Sequence, residues 1–157
     1  MNTKTLARLG ILAALVTVLT MLFPIPLPGR GYVNAGDGLI LAVALLYGRR
    51  EGAFVGGVGS ALADVLLGYS IYAPFTLVVK GLEGFVAGQC RGKHPALAMI
   101  LGALVMVVGY ALVDAILYGW AAFLPSMGPN LLQALAGILI ASLLYPLFKS
   151  LQKKNLL

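Results

Sequence analysis

The sequence predicts an all-α integral membrane protein of six transmembrane helices with its N and C termini in the cytoplasm. Three observations carry that reading. Hydrophobic side chains make up 61% of the 157 residues, and Asp, Glu, Lys and Arg together only 10%, where a soluble domain carries about 25% charged residues. The apolar residues fall in long stretches separated by short breaks rich in Gly, Pro and Arg. The basic residues gather on alternate breaks. A soluble fold of this size has too much surface for its volume to hide so much apolar area. A disordered chain, a coiled coil, a disulfide scaffold and a soluble enzyme domain are therefore excluded, and residues 1–157 read as a single six-helix membrane domain.

The first span, about 6–23, follows Met1-Asn2-Thr3-Lys4. It has the look of a signal peptide but lacks a small-x-small cleavage site and runs into Pro24-Ile25-Pro26-Leu27-Pro28, so it is expected to remain as a helix. The second, about 36–48, is short for a hydrocarbon core of ~30 Å, which takes about 20 helical residues. It is expected to be irregular or partly covered by the loop before it. The remaining spans are about 52–68, 74–90, 96–118 and 130–148. The breaks between them are Pro24 to Gly31, Arg49-Arg50-Glu51, Tyr69 to Ala73, Arg91 to Pro95 and Gly119 to Pro129.

With the N-terminus inside, Lys4, Arg8, Arg49, Arg50, Arg91, Lys93, Lys149, Lys153 and Lys154 all lie on the cytoplasmic side and Arg30 alone lies outside. That asymmetry is the positive-inside pattern. It explains the net charge of +6 as a topology signal with anionic lipid as its ordinary partner. No basic surface interleaved with base-stacking aromatics is present, so nucleic acid is not an expected partner. A faint parallel echo relates Gly59-Ser60-Ala61-Leu62-Ala63-Asp64 to Gly109-Tyr110-Ala111-Leu112-Val113-Asp114, a relation that some transporters show between halves.

Polar groups inside the spans are the informative residues, because leaving them in lipid costs a few kcal/mol or more. Lys80 and Glu83 sit mid-span at i, i+3 spacing, so they share a helix face and can pair. They either hold the bundle together or line a binding site. Asp64 and Asp114 lie in the outer halves of the third and fifth spans, as helix-end partners or as site residues. Asp37, after Gly36, and Asn130, after Gly128-Pro129, each suit either a helix cap or a ligand contact, and Gln133 shares the face of Asn130. Together these groups lie from mid-membrane outward, which predicts a polar pocket opening to the exterior. Tyr72, Tyr118 and Trp120 stand at the outer ends. They suit an interfacial belt or stacking on a planar ring. Gly52-x-x-x-Gly56 and Gly84-x-x-x-Gly88 suit close helix packing within the bundle, and Gly10-x-x-x-Ala14 suits a partner-facing stripe.

One cysteine, Cys90, leaves no intrachain disulfide, and His94 lies in a basic loop away from the acids. No nucleophile elbow, no His-Glu-x-x-His and no phosphate-binding Gly-x-x-x-x-Gly-Lys-Ser/Thr occurs. The reading is therefore of a non-enzyme with no cofactor and no metal, and any ATP hydrolysis must come from a partner. A self-sufficient proton-coupled small-solute carrier, with Asp64, Glu83 and Asp114 relaying protons, is the alternative from the residues alone.

Several motifs carry a resemblance. They are Tyr32-Val33-Asn34-Ala35-Gly36-Asp37, Leu46-Tyr47-Gly48-Arg49-Arg50-Glu51-Gly52-Ala53, Gly56-Gly57-Val58-Gly59-Ser60-Ala61-Leu62-Ala63-Asp64 and Pro74-Phe75-Thr76-Leu77-Val78-Val79-Lys80-Gly81-Leu82-Glu83-Gly84. As an ordered set they resemble the substrate-binding (S) components of energy-coupling factor vitamin transporters, in the branch of riboflavin, hydroxymethylpyrimidine and pyridoxine carriers. The resemblance implies capture of a water-soluble vitamin from outside, and docking onto one transmembrane coupling protein and two ABC ATPases in a bacterial cell (cytoplasmic) membrane. It also implies a gating loop from Pro24 to Asn34, with Asn34 counted among the substrate-binding residues. The ligand contacts it implies are Lys80 and Glu83, then Asp114 and Tyr118, then Asn130 and Gln133. Helix-one docking would fall at Gly10 and Ala14, where the usual Ala-x-x-x-Ala reads Gly10-x-x-x-Ala14.

Overall fold

The computed structural model describes residues 3–22, 25–26, 32–92 and 94–154, with backbone alone at 25–26 and 32–33. Six helices account for most of them: α1 Thr3–Leu22, α2 Gly36–Tyr47, α3 Arg49–Leu66, α4 Ala73–Cys90, α5 Pro95–Tyr118 and α6 Phe123–Lys153. A short 3-10 turn, Trp120–Ala122, links α5 to α6, and Ile25–Pro26 pairs antiparallel with Tyr32–Val33 in the loop after α1. The chain is an all-α membrane protein. By length and composition α1, α5 and the stretch Trp120–Lys153 are apolar enough to cross a bilayer. In α3 and α4, at 18 residues each, glycines and ionisable side chains dilute the apolar content.

The short second helix is regular, not irregular. Every residue from Gly36 to Leu45 is buried, because α2 is enclosed by α1, α3, α4 and α6. A helix apolar on all sides belongs in the core, and one that never meets lipid has no need of bilayer length. Gly48 joins it to α3 in a single residue at φ 112°, with its N–H on Ala44 O at 3.0 Å. A side chain would be strained in that left-handed conformation.

The α3–α4 contact is built on the glycines read as packing residues. A Cβ placed on Gly52 would lie 2.7 Å from Gly84 O, and one on Gly56 would lie 2.7 Å from Lys80 O. Absent side chains let the two backbones touch, which replaces the missing hydrophobic drive between helices in lipid by close packing. Gly59 admits α1 in the same way. A Cβ there would meet Ala13 O at 2.7 Å, and Thr17 Oγ1 donates to Gly59 O at 2.8 Å.

The sixth helix departs most from expectation. It begins at Phe123, not near Asn130, and contains Pro129 and Pro146 in its interior. Pro125 falls in the first turn, where its missing N–H costs nothing. Pro129 removes one ladder bond, but the Asn130 side chain follows at once with Nδ2 on Ser126 O at 2.9 Å. The segment from Phe123 to Pro129, read as a break, is therefore helical.

Most of the basic residues mark one end of the bundle: the start of α1, the α2–α3 joint, the end of α4 and the end of α6. There Arg8 lies 4.2 Å from the Tyr47 ring, Arg49 Nη1 donates to Gln89 Oε1 at 2.6 Å, and Arg91 Nη1 donates to Leu46 O at 3.3 Å.

Candidate functional site

At mid-depth Lys80 of α4 reaches across to α2. Its Nζ donates to Asp37 Oδ1 and, at 3.0 Å, to Glu83 Oε2. All are deeply buried, with Lys80 5% exposed, Asp37 1% and Glu83 0%. The expected i, i+3 pair is thus present as part of a three-membered group, with Asp37 supplied by another helix. Gly137 of α6 makes room for it, since a Cβ there would lie 2.8 Å from Asp37 Cβ. Asp37 does not cap α2. The first-turn donor Gly36 N–H goes instead to Asn34 Oδ1 at 2.8 Å, an Asx turn two residues long.

Tyr110 of α5 closes this group from the side. Lys80 Nζ lies 5.6 Å from its ring centroid, a cation–π contact, and its hydroxyl shares a 2.9 Å hydrogen bond with Thr76. Neither Thr76 nor Tyr110 was among the expected residues. Both stand four positions before an ionisable residue on the same helix, Lys80 and Asp114, and so share its face. That spacing was the available signal.

Towards the end of the bundle opposite the basic residues, Asp114 of α5 is the centre of a second cluster. Its Oδ1 accepts from Tyr72 OH at 2.9 Å and its Oδ2 from Ser126 Oγ at 2.6 Å. Asn130 Nδ2 completes the chain by donating to Ser126 Oγ at 3.0 Å. The Tyr72 and Tyr118 hydroxyls also share a hydrogen bond at 3.1 Å, with the two rings tilted at 42° and 6.4 Å apart. Four of the residues singled out from sequence, Tyr72, Asp114, Tyr118 and Asn130, therefore meet in one place. Ser126, one turn before Asn130, is the link that sequence reading missed. Trp120 is 76% exposed with its ring 6.1 Å from Phe123, outside this hydrogen-bonded chain. Asn130 sits within α6 and does not cap it.

Gln133, the remaining member of the α6 face, fastens the α1–α2 loop. Its Oε1 accepts from Asn34 N–H at 2.7 Å and its Nε2 donates to Asn34 O at 3.3 Å. A side-chain amide thus pairs with a backbone amide across 99 residues of sequence. Asn34 Oδ1 also receives Thr20 Oγ1 of α1 at 3.4 Å. Asn34 and Gln133 consequently spend these groups on each other. Most of the expected gating loop, Pro24 and residues 27–31 among it, lies outside the described residues; the described part is the Ile25–Pro26 and Tyr32–Val33 pairing and this clasp.

Gly10 and Ala14 are both exposed on the outward face of α1, and no described residue lies within 4 Å of a Cβ built on Gly10. That stripe is not used inside the bundle, unlike the two glycine pairs of α3 and α4.

Against known proteins, a family model described as ECF-type riboflavin transporter, S component, matches residues 1–153. A protein of Lactococcus lactis subsp. cremoris (strain MG1363), the thiamine precursor transporter HmpT, is 37% identical over 150 residues, covering 94% of this chain and 89% of that one. An uncharacterized protein in gap 3'region of Pyrococcus woesei is 47% identical over 131 residues, covering 80% of this chain and 88% of the relative. With a buried polar site enclosed by helices and a family match over nearly its whole length, the chain belongs to the ECF-type riboflavin transporter S component family, a family of membrane transporter subunits and not of enzymes.

Proposed function

We propose that this chain captures a water-soluble vitamin or vitamin precursor, a small heterocycle of pyrimidine, pyridine or flavin type, from outside the cell. In this reading it delivers the ligand by docking on a transmembrane coupling protein driven by two ABC ATPases, in a bacterial cytoplasmic membrane with both termini inside. The observation that carries the reading is the buried Lys80–Asp37–Glu83 group lying beneath a loop fastened by Gln133. A charged group of this kind is costly among apolar helices, and binding sites combine such convergent polar groups with apolar walls.

The outer cluster adds rings and hydroxyls. Tyr72 and Tyr118 offer stacking faces, while Asp114 and Asn130 offer orientation by hydrogen bonds. Lys80 and Glu83 lie deeper and set the polarity of the floor. Trp120 stands at the rim as an aromatic that a bound ring can reach, and Asn34 and Gln133 close the loop over the ligand. Gly10 and Ala14 on the outward face of α1 form the surface on which the coupling protein packs, small side chains allowing close helix approach. The relative HmpT, a thiamine precursor transporter by name, supports the pyrimidine end of the range.

Native mass spectrometry of the purified full-length chain tests the reading. A co-purified heterocycle of this class is expected, with uptake in liposomes only when the coupling protein and ATPases are present. Uptake by this chain alone, driven by a pH gradient, would instead establish a self-sufficient carrier.

A further inference from the structure

The buried side-chain atoms of the site left without a hydrogen bond from a described residue are of one kind, carboxylate oxygens. In the outer cluster both oxygens of Asp114 are occupied by hydroxyl donors, from Tyr72 and Ser126. In the inner group one ammonium faces two carboxylates, and the single cation already donates to both. Among the described residues, Asp37 Oδ2 and Glu83 Oε1 remain buried without a hydrogen-bond partner. Both belong to side chains at least nine-tenths buried, where an unsatisfied carboxylate oxygen is among the most expensive groups to hold. The Tyr110 ring lies beside Lys80 and its hydroxyl bonds that of Thr76, while the Gln133 amide is committed to Asn34.

We infer that the site selects its ligand by charge: it takes a heterocycle that is neutral or cationic and brings N–H or O–H donors to Asp37 Oδ2 and Glu83 Oε1, and it rejects anionic forms bearing a carboxylate or phosphate. An amino group on the ring, or a protonated ring nitrogen, supplies what these two atoms lack. An anion finds Lys80 already neutralised by two carboxylates and meets their surplus negative charge in a setting where repulsion is little screened. The inference rests on the proposed binding role of this site and adds the sign of its selectivity. Its consequence for metabolism is that any phosphorylated or carboxylated form of the vitamin must lose that group, by hydrolysis or decarboxylation outside the cell, before it is captured.

A matched ligand series tests it on the full-length protein in lipid nanodiscs by calorimetry at pH 7, with 4-aminopyrimidine, 4-methylpyrimidine and pyrimidine-4-carboxylate as probes. The amino compound is expected to bind tightest and the carboxylate at least tenfold more weakly. Glu83→Gln, which removes a charge while keeping the shape, should shrink the amino-over-carboxylate ratio at least tenfold. Carboxylate binding equal to or tighter than amino binding in the unmodified protein overturns the charge rule while leaving the binding site standing. Failure of all three probes, and of riboflavin added as a larger neutral ring, overturns the site reading and the charge rule with it.

Discussion

Replacing Gln133 by Ala removes both halves of the clasp on Asn34. The lost bonds are a 2.7 Å acceptance from Asn34 N–H and a 3.3 Å donation to Asn34 O. A net contribution of about 0.5–1.5 kcal/mol each gives roughly 1–3 kcal/mol for the pair. If that free energy holds the loop end against α6, the fraction of time Asn34 is detached rises by about 5- to 150-fold, at about 1.4 kcal/mol per tenfold. Amide hydrogen exchange on the full-length protein in nanodiscs reads this directly. Protection at Asn34 should fall by that factor, while the α2 core amides of Leu41 and Val43 stay as they were. Gln133→Glu keeps an acceptor for the shorter bond and loses the donor for the longer one, so its effect should be the smaller. Unchanged Asn34 exchange in a folded Gln133→Ala protein would refute the argument that this side chain fastens the loop.

Other outcomes follow from the same contacts. Lys80→Met leaves two buried carboxylates without their cation and should destabilise by about 3–5 kcal/mol; thermal unfolding in detergent checks it, and adding Asp37→Asn should recover part of the loss. Ser126→Ala strips Asp114 Oδ2 of its 2.6 Å donor and should cost about 1.5–3 kcal/mol, the range for a hydrogen bond to a charged group, read as a lower unfolding temperature than for an exposed control such as Ser150→Ala. Gly56→Leu forces a side chain into the space 2.7 Å from Lys80 O and should abolish a monodisperse species on size-exclusion chromatography, whereas Gly10→Leu, in open space, should leave the isolated chain folded.

What could be read in the sequence was what lies within one helix. Lys80 and Glu83 announce their pairing by spacing alone, and the Gly52/Gly56 and Gly84/Gly88 stripes announce a close contact. The identity of the third charged partner was not legible, because Asp37 meets Lys80 across 43 residues, and its position after Gly36 resembles a cap. Asn34, which does bond the first-turn amide, was read as a ligand-contacting residue of the gating loop and not as the partner of that amide. The start of α6 was hidden by Pro125, Gly128 and Pro129. In composition they are breakers, but one proline falls in the first turn and the other is followed by an asparagine that engages the turn before it. The Ser126 link was invisible for a related reason, since it sits in the very segment those residues disguised as a break.

The glycine seam between α3 and α4 has a mechanical consequence. A joint made of main chain has no rotamers to exchange and no gap into which a neighbour can slide, so these two helices behave as one slab. Lys80 and Glu83 are mounted on that slab. If they line the proposed binding site, access to them is expected to come from displacing what lies opposite, Asn34 and the helix that carries Gln133, while the floor stays still.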